Sequence, residues 1–243
     1  MHRPSFLAAA VASTWLASAA FAQNLLVNGS FESWPGRVPP YVTLNGGSTA
    51  LPGWTVTGTS VDLVGSAWQQ GDATYSVDLD GSPGPGGLTQ TFATTPGQWY
   101  SVSFLLAGNP QCGTAVKSIR IDAAGQSQVF SFSTAGHDFS SMGWDPRSWC
   151  FLANGRSTTL AITSLTDGST NCGPALDAVA VEASDPPLVG DFDCSGTVDG
   201  ADLAVLLGAW GPCISCLGCR TDLNGDCATD AADLALVLGS WTG

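Results

Sequence analysis

Two stretches near the end of the chain place acidic and polar residues at a spacing that suits calcium. They read DFDCSGTVDGADLAVLLGAW from Asp191 and DLNGDCATDAADLALVLGSW from Asp222, so the second copy follows the first by 31 residues (222 − 191). Calcium is a hard cation that takes about six to eight oxygen ligands, which a twelve-residue loop can supply from positions 1, 3, 5, 7, 9 and 12. Both stretches carry oxygen donors at those positions.

The predicted calcium ligands are side-chain oxygens and one backbone carbonyl in each loop. They are Asp191, Asp193, Ser195, Thr197 (carbonyl), Asp199 and Asp202 in the first loop, and Asp222, Asn224, Asp226, Ala228 (carbonyl), Asp230 and Asp233 in the second. Clustered carboxylates repel one another without a cation, so we expect calcium to order each loop. The alternative is an Asp-rich solvated linker, which the repetition of the whole pattern disfavours.

The runs after the loops, DLAVLLGAW and DLALVLGSW, are apolar at helical spacing and predict two helices that bury a face against each other. Paired EF-hand-type loops with one helix each resemble a type I dockerin, over residues 191–243. That resemblance implies a cohesin-like domain or a cell-surface scaffold as partner. Two departures matter. Cys227 replaces the position-6 glycine that normally supplies a positive φ, so we expect a weaker second site. Positions 10 and 11 lack hydroxyls, so partner specificity cannot be transferred.

The beginning of the chain predicts export. Residues 1–22 combine Arg3, a short apolar run and the sequence Ala20-Phe21-Ala22, which together are typical of a cleaved signal peptide. No stretch is long enough to be a transmembrane segment. The net charge is −13 with only seven Lys and Arg, which argues against nucleic acid or an anionic membrane as partner. We therefore expect a secreted, extracellular protein, either free or associated with a cell surface.

Residues 23–184 predict a β-sandwich, followed by a linker at 185–190. Short alternating runs such as SVSFL and QVFSF are separated by turn signals such as Asn154-Gly155 and Asp80-Gly81. The segments NLLVNGSFE, LPGWTVTG, SVDLDG, LTQTFATTPGQWYSVSFLLAGNP and PALDAVAVE resemble the choice-of-anchor C family, close to DUF642 and to galactose-binding-like jelly rolls. The fold class expected is thus mainly β, a jelly-roll β-sandwich followed by a small all-α module with two calcium loops.

This resemblance also implies candidate binding residues in the body. Glu32 and Asp177 match the positions where such jelly rolls often hold a structural calcium; the alternative is a surface Glu and a turn-capping Asp. Trp68 and Trp144 lie among polar loop neighbours and are predicted as an exposed platform for a sugar ring, although core packing is the more common fate of Trp. Trp54, Trp99 and Trp149 are predicted to be core residues.

The eight cysteines divide into three in the body and five in the tail, so complete pairing requires a bridge between the two regions. Export favours disulfides. Cys112 and Cys172, in the similar contexts NPQCG and TNCGP, are the preferred pair. A four-thiolate zinc site at Cys213, Cys216, Cys219 and Cys227 is the alternative for the tail.

The residues of known catalytic patterns are missing from this sequence. His137 is the only histidine after residue 22, and no nucleophile elbow or zinc-protease motif occurs. We therefore expect a secreted non-enzyme. Its body should bind either a carbohydrate such as a polysaccharide or another surface ligand. The alternatives are a structural or surface-display protein and an accessory part of a polysaccharide-degrading system.

Overall fold

The computed structural model describes residues 23–166, 171–213 and 219–243. The predicted signal peptide and Cys216 lie outside the described residues. The strands of the body are β1 (Tyr41–Asn45), β2 (Thr55–Gly58), β3 (Ser60–Val64), β4 (Ser76–Asp78), β5 (Asp80–Gly81), β6 (Gly84–Ala93), β7 (Trp99–Gly108), β8 (Val116–Ala123), β9 (Gln126–Ser133), β10 (Asp145–Leu152), β11 (Ser157–Ser164) and β12 (Pro174–Ser184). The tail contains α1 (Gly200–Gly208), β13 (Gly211–Pro212), β14 (Ala228–Thr229) and α2 (Ala231–Gly239).

The body is a sandwich of two antiparallel sheets, as a jelly-roll arrangement requires. The first sheet has the order β1-β3-β4-β12-β7-β10, and the second has the order β2-β6-β11-β8-β9, with β5 paired to β6. Alternation along strands such as β7 is typical of a sandwich, because Val102, Phe104 and Leu106 are buried while Ser103 is exposed. Each large apolar side chain buried in this way contributes about 1.5–3 kcal/mol.

The first and last segments of the body are held side by side. The backbone N–H of Leu25 donates to Val181 at 2.8 Å, and the N–H of Val179 donates to Gly29 at 3.0 Å. A Cβ on Gly29 would lie 1.9 Å from the Val179 carbonyl oxygen, so this position requires glycine. The start of the NGSFE motif is therefore fixed by contact with β12.

The buried Trp54 joins two of the motifs that carry the family resemblance. Its indole N–H donates to the Asn28 carbonyl at 2.9 Å, and its ring lies 5.7 Å from the Phe31 ring. LPGW and NGSFE thus form one packing unit. Trp149 is also buried, as predicted, whereas Trp99 is half-buried.

The tail is built on two short helices with a small apolar cluster. That cluster consists of Phe192, Val198, Leu206 and Val237. Although the sequence predicts an all-α tail, β13 and β14 form a two-residue antiparallel ladder, because the segment after α1 pairs with the end of the second loop. No helix among the described residues is long and apolar enough to cross a membrane.

Three described disulfides are resolved. Cys112 is bonded to Cys172, Cys150 to Cys194 and Cys213 to Cys219. The bond from Cys150 on β10 to Cys194 in the first acidic loop is the bridge between body and tail that the cysteine count requires. Cys227 is also disulfide-bonded. A zinc site needs thiolates, so the four-thiolate alternative is wrong.

Candidate functional site

A cleft of about 620 Å³ opens on the outer face of the first sheet. Asp62 on β3 and Asp78 on β4 are cross-strand partners. Their neighbours Leu63 and Val77 belong to the core, so the two carboxyl groups lie on the opposite face and form part of the cleft floor. The polar lining residues are Asp62, Asp78, Ser82, Asn109, Gln111 and Asn171.

Asp62 is held by hydroxyl and backbone donors. Its Oδ1 accepts from the Thr43 hydroxyl at 2.6 Å and from the Ser82 N–H at 3.3 Å, and its Oδ2 accepts from the Ser82 hydroxyl at 3.4 Å. These donors fix the carboxylate on the floor. Each carboxylate oxygen has two acceptor sites, so Asp62 keeps capacity to accept from a ligand hydroxyl.

Asp78 is fully buried and positions the wall of the cleft. Burial raises its pKa to about 8, against the hydrogen bonds from Asn109 and the Asp80 N–H, and the nearby carboxyl groups of Asp80 and Asp62 raise the pKa further. The Asn109 amide nitrogen donates to Asp78 at 2.9 Å, and the Asn109 amide oxygen accepts from the Gln111 N–H at 3.1 Å. The side chain of Asn109 is therefore oriented before any ligand arrives.

Three aromatic side chains line the same cleft. Tyr41 on β1 is 48% exposed and Phe139 is 38% exposed, whereas Trp68 is only 8% exposed. The Trp68 ring lies 6.3 Å from the Phe139 ring, and its N–H donates to the Ser76 hydroxyl at 2.8 Å. The accessible apolar surface is thus supplied mainly by Tyr41 and Phe139.

The two tryptophans predicted as a platform have different surroundings. Trp68 reaches the cleft, but most of its ring is covered. Trp144 is not among the lining residues; it packs against the core and donates to the Gln69 carbonyl at 2.9 Å. Trp68 therefore belongs to the candidate site. Trp144 lies outside it and hydrogen-bonds the loop that carries Trp68.

Glu32 and Asp177 hold that same loop from two sides. Glu32 Oε1 accepts from the N–H groups of Thr74 and Tyr75, both at 2.8 Å. Asp177 Oδ2 accepts from Gly71 at 3.1 Å and Asp72 at 2.7 Å. Burial raises the pKa of Asp177 to about 7, although these N–H donors act to lower it. The two carboxylates fix the loop; their role as metal ligands stays a prediction.

The first acidic loop of the tail brings its carboxylates together. One oxygen from each of Asp191, Asp193 and Asp202 lies within 4.8 Å of the others. Asp202 accepts from the N–H groups of Phe192 at 2.6 Å, Asp193 at 3.3 Å and Asp199 at 2.9 Å. Burial raises the pKa of Asp191, and its charged neighbours Asp202 and Asp193 add to that rise. An all-oxygen donor set of this kind fits calcium.

The second loop repeats this arrangement. Asp233 accepts from Leu223 at 2.7 Å, Asn224 at 3.2 Å and Asp230 at 2.9 Å, the same positions that Asp202 uses. Asp199 and Asp230 both form a capping box with the following helix. Cys227 has a φ of 72°, and Gly196 at the same position of the first loop has a φ of 86°. The cysteine therefore does not change the turn that glycine normally provides, although it carries the strain of a left-handed conformation.

The remaining predicted ligands occupy matching places in the two loops. Ser195 and Asn224 lie at exposed positions, as does Asp226, while Asp199 and Asp230 are half-buried. Thr197 and Ala228 supply position 7. Calcium binding by these twelve positions stays a prediction.

Sequence reasoning missed Tyr41, Asp62, Asn109 and Phe139 as cleft residues. They come from β1, β3 and two separate loops, and no spacing in the sequence links them. The available signal was a single Asp within each of the short strands SVDLV and SVD, namely Asp62 and Asp78. An acidic residue is unusual in a buried strand.

Comparisons with known proteins identify relatives of the body. The family described as "Protein of unknown function (DUF642)" matches residues 24–182. Halomucin from Haloquadratum walsbyi is 33% identical over 168 residues, which is 67% of this chain and 2% of halomucin. Protein DUF642 L-galactono-1,4-lactone-responsive gene 1 from Arabidopsis thaliana is 29% identical over 182 residues, which is 73% of this chain and 47% of that protein. The chain therefore spans less than half the length of these relatives.

Among solved structures, similarity is weaker. "Family 16 Carbohydrate Binding Module-2" has a TM-score of 0.38 and 18% identity, covering 65% of this chain and 99% of that chain. The structure of TmCBM61 in complex with beta-1,4-galactotriose has a TM-score of 0.35 and 13% identity, covering 67% of this chain and 100% of that chain. TM-scores of this size assign neither fold nor ligand to this chain.

Proposed function

We propose, for a chain that belongs to the DUF642 family of proteins of unknown function, that the body is a non-catalytic carbohydrate-binding domain. The ligand would lie in the cleft on the outer face of the first sheet. The observation that carries this proposal is the convergence of Tyr41, Trp68 and Phe139 with oriented polar side chains around one opening of about 620 Å³. The export signal predicted from the sequence supports an extracellular site of action.

The chemistry of the cleft suits a sugar. A pyranose ring has apolar C–H faces that pack on aromatic rings, and hydroxyl groups that need hydrogen-bond partners at the rim. Tyr41 and Phe139 supply accessible apolar surface, while Asp62, Asn109 and Gln111 supply acceptors and donors. The volume lies within the usual range of small-molecule sites, roughly 300–1,000 Å³.

Binding is better supported than hydrolysis. Glycosidases place two carboxyl groups on either side of the scissile bond. Asp62 and Asp78 instead lie side by side on the floor, since they are cross-strand partners. Asp78 is fully buried and already accepts from Asn109, Asp80 and Gly173. The raised pKa of Asp78 would let it carry a proton, but its place beside Asp62 does not put the two carboxyl groups on opposite sides of a glycosidic bond.

Calorimetric titration of the full chain with a panel of soluble oligosaccharides tests this proposal. Tyr41→Ala should weaken binding by roughly tenfold, because truncating an aromatic contact typically costs about 1–2 kcal/mol. Trp210→Ala is the matched control, since Trp210 is an aromatic residue of the tail with a similar exposure of 49%. Unchanged affinity in Tyr41→Ala and Phe139→Ala, or an equal loss in Trp210→Ala, would place the ligand elsewhere.

A second function is proposed for the tail, namely calcium-dependent attachment to a cohesin-like domain or cell-surface scaffold. The supporting observation is its internal repetition: Leu207 and Trp210 beyond the first loop are exposed, and Leu238 and Trp241 are exposed at the equivalent positions beyond the second. Apolar side chains that a folded tail leaves uncovered are suited to a partner surface.

Calcium titration of the full chain tests the tail proposal. Two bound ions that are lost in the double variant Asp202→Ala, Asp233→Ala would support the two loops. A third ion that is lost in Glu32→Gln would place calcium in the body as well. No calcium binding at all would remove both the loop sites and the calcium-dependent partner.

A further inference from the structure

We infer that the cleft selects glycans built of neutral sugar units and discriminates against uronic acids and other anionic sugars. This inference rests on the proposed carbohydrate-binding function and specifies its ligand class. It follows from the charges that the fold places in and around the cleft.

The cleft has carboxyl groups but no cation. Asp62 and Asp78 are on its floor, and no Lys or Arg is among its described lining residues. Recognition of a sugar carboxylate or sulfate normally uses Arg or Lys, whose fork or point charge matches the anion. A bound uronate would instead lie near the largely buried carboxylate of Asp62, where charge repulsion is stronger than in water.

The arginines of the body all lie outside the lining of the cleft. Arg120 forms an ion pair with Asp122 at 2.8 Å on the opposite sheet, and Arg147 forms an ion pair with Asp145 on β10. Neither arginine lines the cleft. The remaining arginines, Arg37 and Arg156, are also outside the lining.

Lys117 lies behind the wall of the cleft rather than in it. Its side chain is buried, and its ammonium group donates to the carbonyl oxygens of Cys112 and Cys172. These two disulfide-bonded cysteines line the cleft, whereas Lys117 is not among the lining residues. The lysine stabilises the wall and leaves the cleft itself without a positive group.

The carboxylate of Asp62 fits a neutral sugar well. A carboxylate only accepts hydrogen bonds, and sugar hydroxyls are donors. Its present donors, Thr43 and Ser82, are neutral, so no salt bridge would have to break on binding. A neutral ring can donate a hydroxyl to Asp62 without bringing a second negative charge, whereas a uronate that does so places its own carboxylate near Asp62.

The test compares polymers that differ in charge. The full chain is titrated at pH 7 with oligogalacturonate, with its methyl ester, and with the carboxyl-reduced oligomer. We expect both neutral forms to bind at least tenfold more tightly than the acid. Raising the ionic strength should narrow this ratio, because screening weakens charge repulsion. Equal or tighter binding of the acid would overturn the inference.

Asp62→Asn isolates the proposed source of discrimination. It should reduce the neutral-to-acid ratio several-fold, while Asp122→Asn, which removes one exposed carboxylate on the opposite sheet, should leave the ratio unchanged. An unchanged ratio in folded Asp62→Asn would overturn the inference. If Asp62→Asn fails to fold, the salt dependence of the wild-type ratio decides the question.

The outcomes separate this inference from the proposed function. Binding that depends on Tyr41 but does not distinguish acid from neutral forms overturns only the neutral-sugar inference. Absence of binding to every oligosaccharide tested overturns both.

Discussion

The body and the tail of this protein are stabilised in different ways. The body has one apolar cluster that runs between its two sheets and includes Trp54, Phe104 and Leu176. Among the described residues, the buried cluster of the tail consists of Phe192, Val198, Leu206 and Val237. A core of that size is too small to fold a domain without further support.

Hydrogen bonds to carboxylates and disulfide bonds stabilise the tail in addition to its small core. Asp202 and Asp233 each accept three backbone N–H groups, and Cys194 is bonded to the body. Asp202 and Asp233 of the tail hold backbone N–H groups, as Asp177 does in the body. In the body, where apolar burial is plentiful, Asp62 and Asp78 also line a cleft.

Trp54→Ala should produce the largest effect and confirm that burial stabilises the body. It removes a large buried ring that contacts Phe31, so the free energy of unfolding of the body should fall by about 3–5 kcal/mol. Urea unfolding monitored by near-UV circular dichroism measures this. The exposed Trp210→Ala in the tail is the control and should change stability by less than about 0.5 kcal/mol. A similar loss in both variants would contradict the contrast.

The double variant Cys150→Ser, Cys194→Ser should show how far the tail depends on the body. The bond closes a separation of 44 residues, and the chain-entropy model assigns such a loop about 4 kcal/mol. We expect the tail to unfold at lower urea than the body in this variant. Cys213→Ser, Cys219→Ser, with a separation of 6 residues, should cost about half as much. Unchanged unfolding of the tail would show that its stability does not depend on the bond to the body.

Asp202→Ala should destabilise the first half of the tail by about 1–3 kcal/mol, because it leaves backbone N–H groups without an acceptor. Asp233→Ala should do the same in the second half. Far-UV circular dichroism during thermal unfolding, with calcium and with chelator, measures both. Ser195→Ala is the control in the presence of chelator, since Ser195 is exposed, caps no helix and is predicted to act only as a calcium ligand. Equal effects of all three substitutions would contradict a structural role for position 12.

Asp78→Asn should change the pH dependence of body stability. The native pKa of Asp78 is raised to about 8, so the folded chain keeps a proton that the unfolded chain releases. The resulting stability is fully present below a pH of about 4 and is lost as the pH rises to about 8. Between pH 6 and pH 7 the wild type should therefore lose at most about 1.4 kcal/mol relative to Asp78→Asn.

Thermal unfolding of both proteins at the two pH values measures this difference. Asp177 has a pKa raised to about 7 and is present in both proteins, so its contribution cancels. A difference that stays constant with pH would show that Asp78 ionises normally in the folded chain.

Much of the β-sandwich could be predicted from local patterns. The alternation in SVSFLL and QVFSF corresponds to β7 and β9, and Trp54 and Trp149 are buried as predicted. The two helices were predicted too, since the runs DLAVLLGAW and DLALVLGSW contain most of α1 and α2, whereas their capping by Asp199 and Asp230 was not predicted. The pairing β13–β14 was not predicted, because Gly211 and Pro212 carry no strand signal and adopt extended structure only by contact with the second loop.

By itself the sequence determined the features that depend on neighbouring residues: alternating strands, capped helices, and the duplicated acidic loops in which each ligand position lies within twelve residues of the others. Only the tertiary structure decided which residues form the cleft. Tyr41, Asp62, Asn109 and Phe139 meet because β1 pairs with β3, β3 with β4, and β4 with β12, which in turn pairs with β7. Tertiary contact also decided that Cys194 bonds to Cys150, since two sulfur atoms can bond only where folding brings their backbones together.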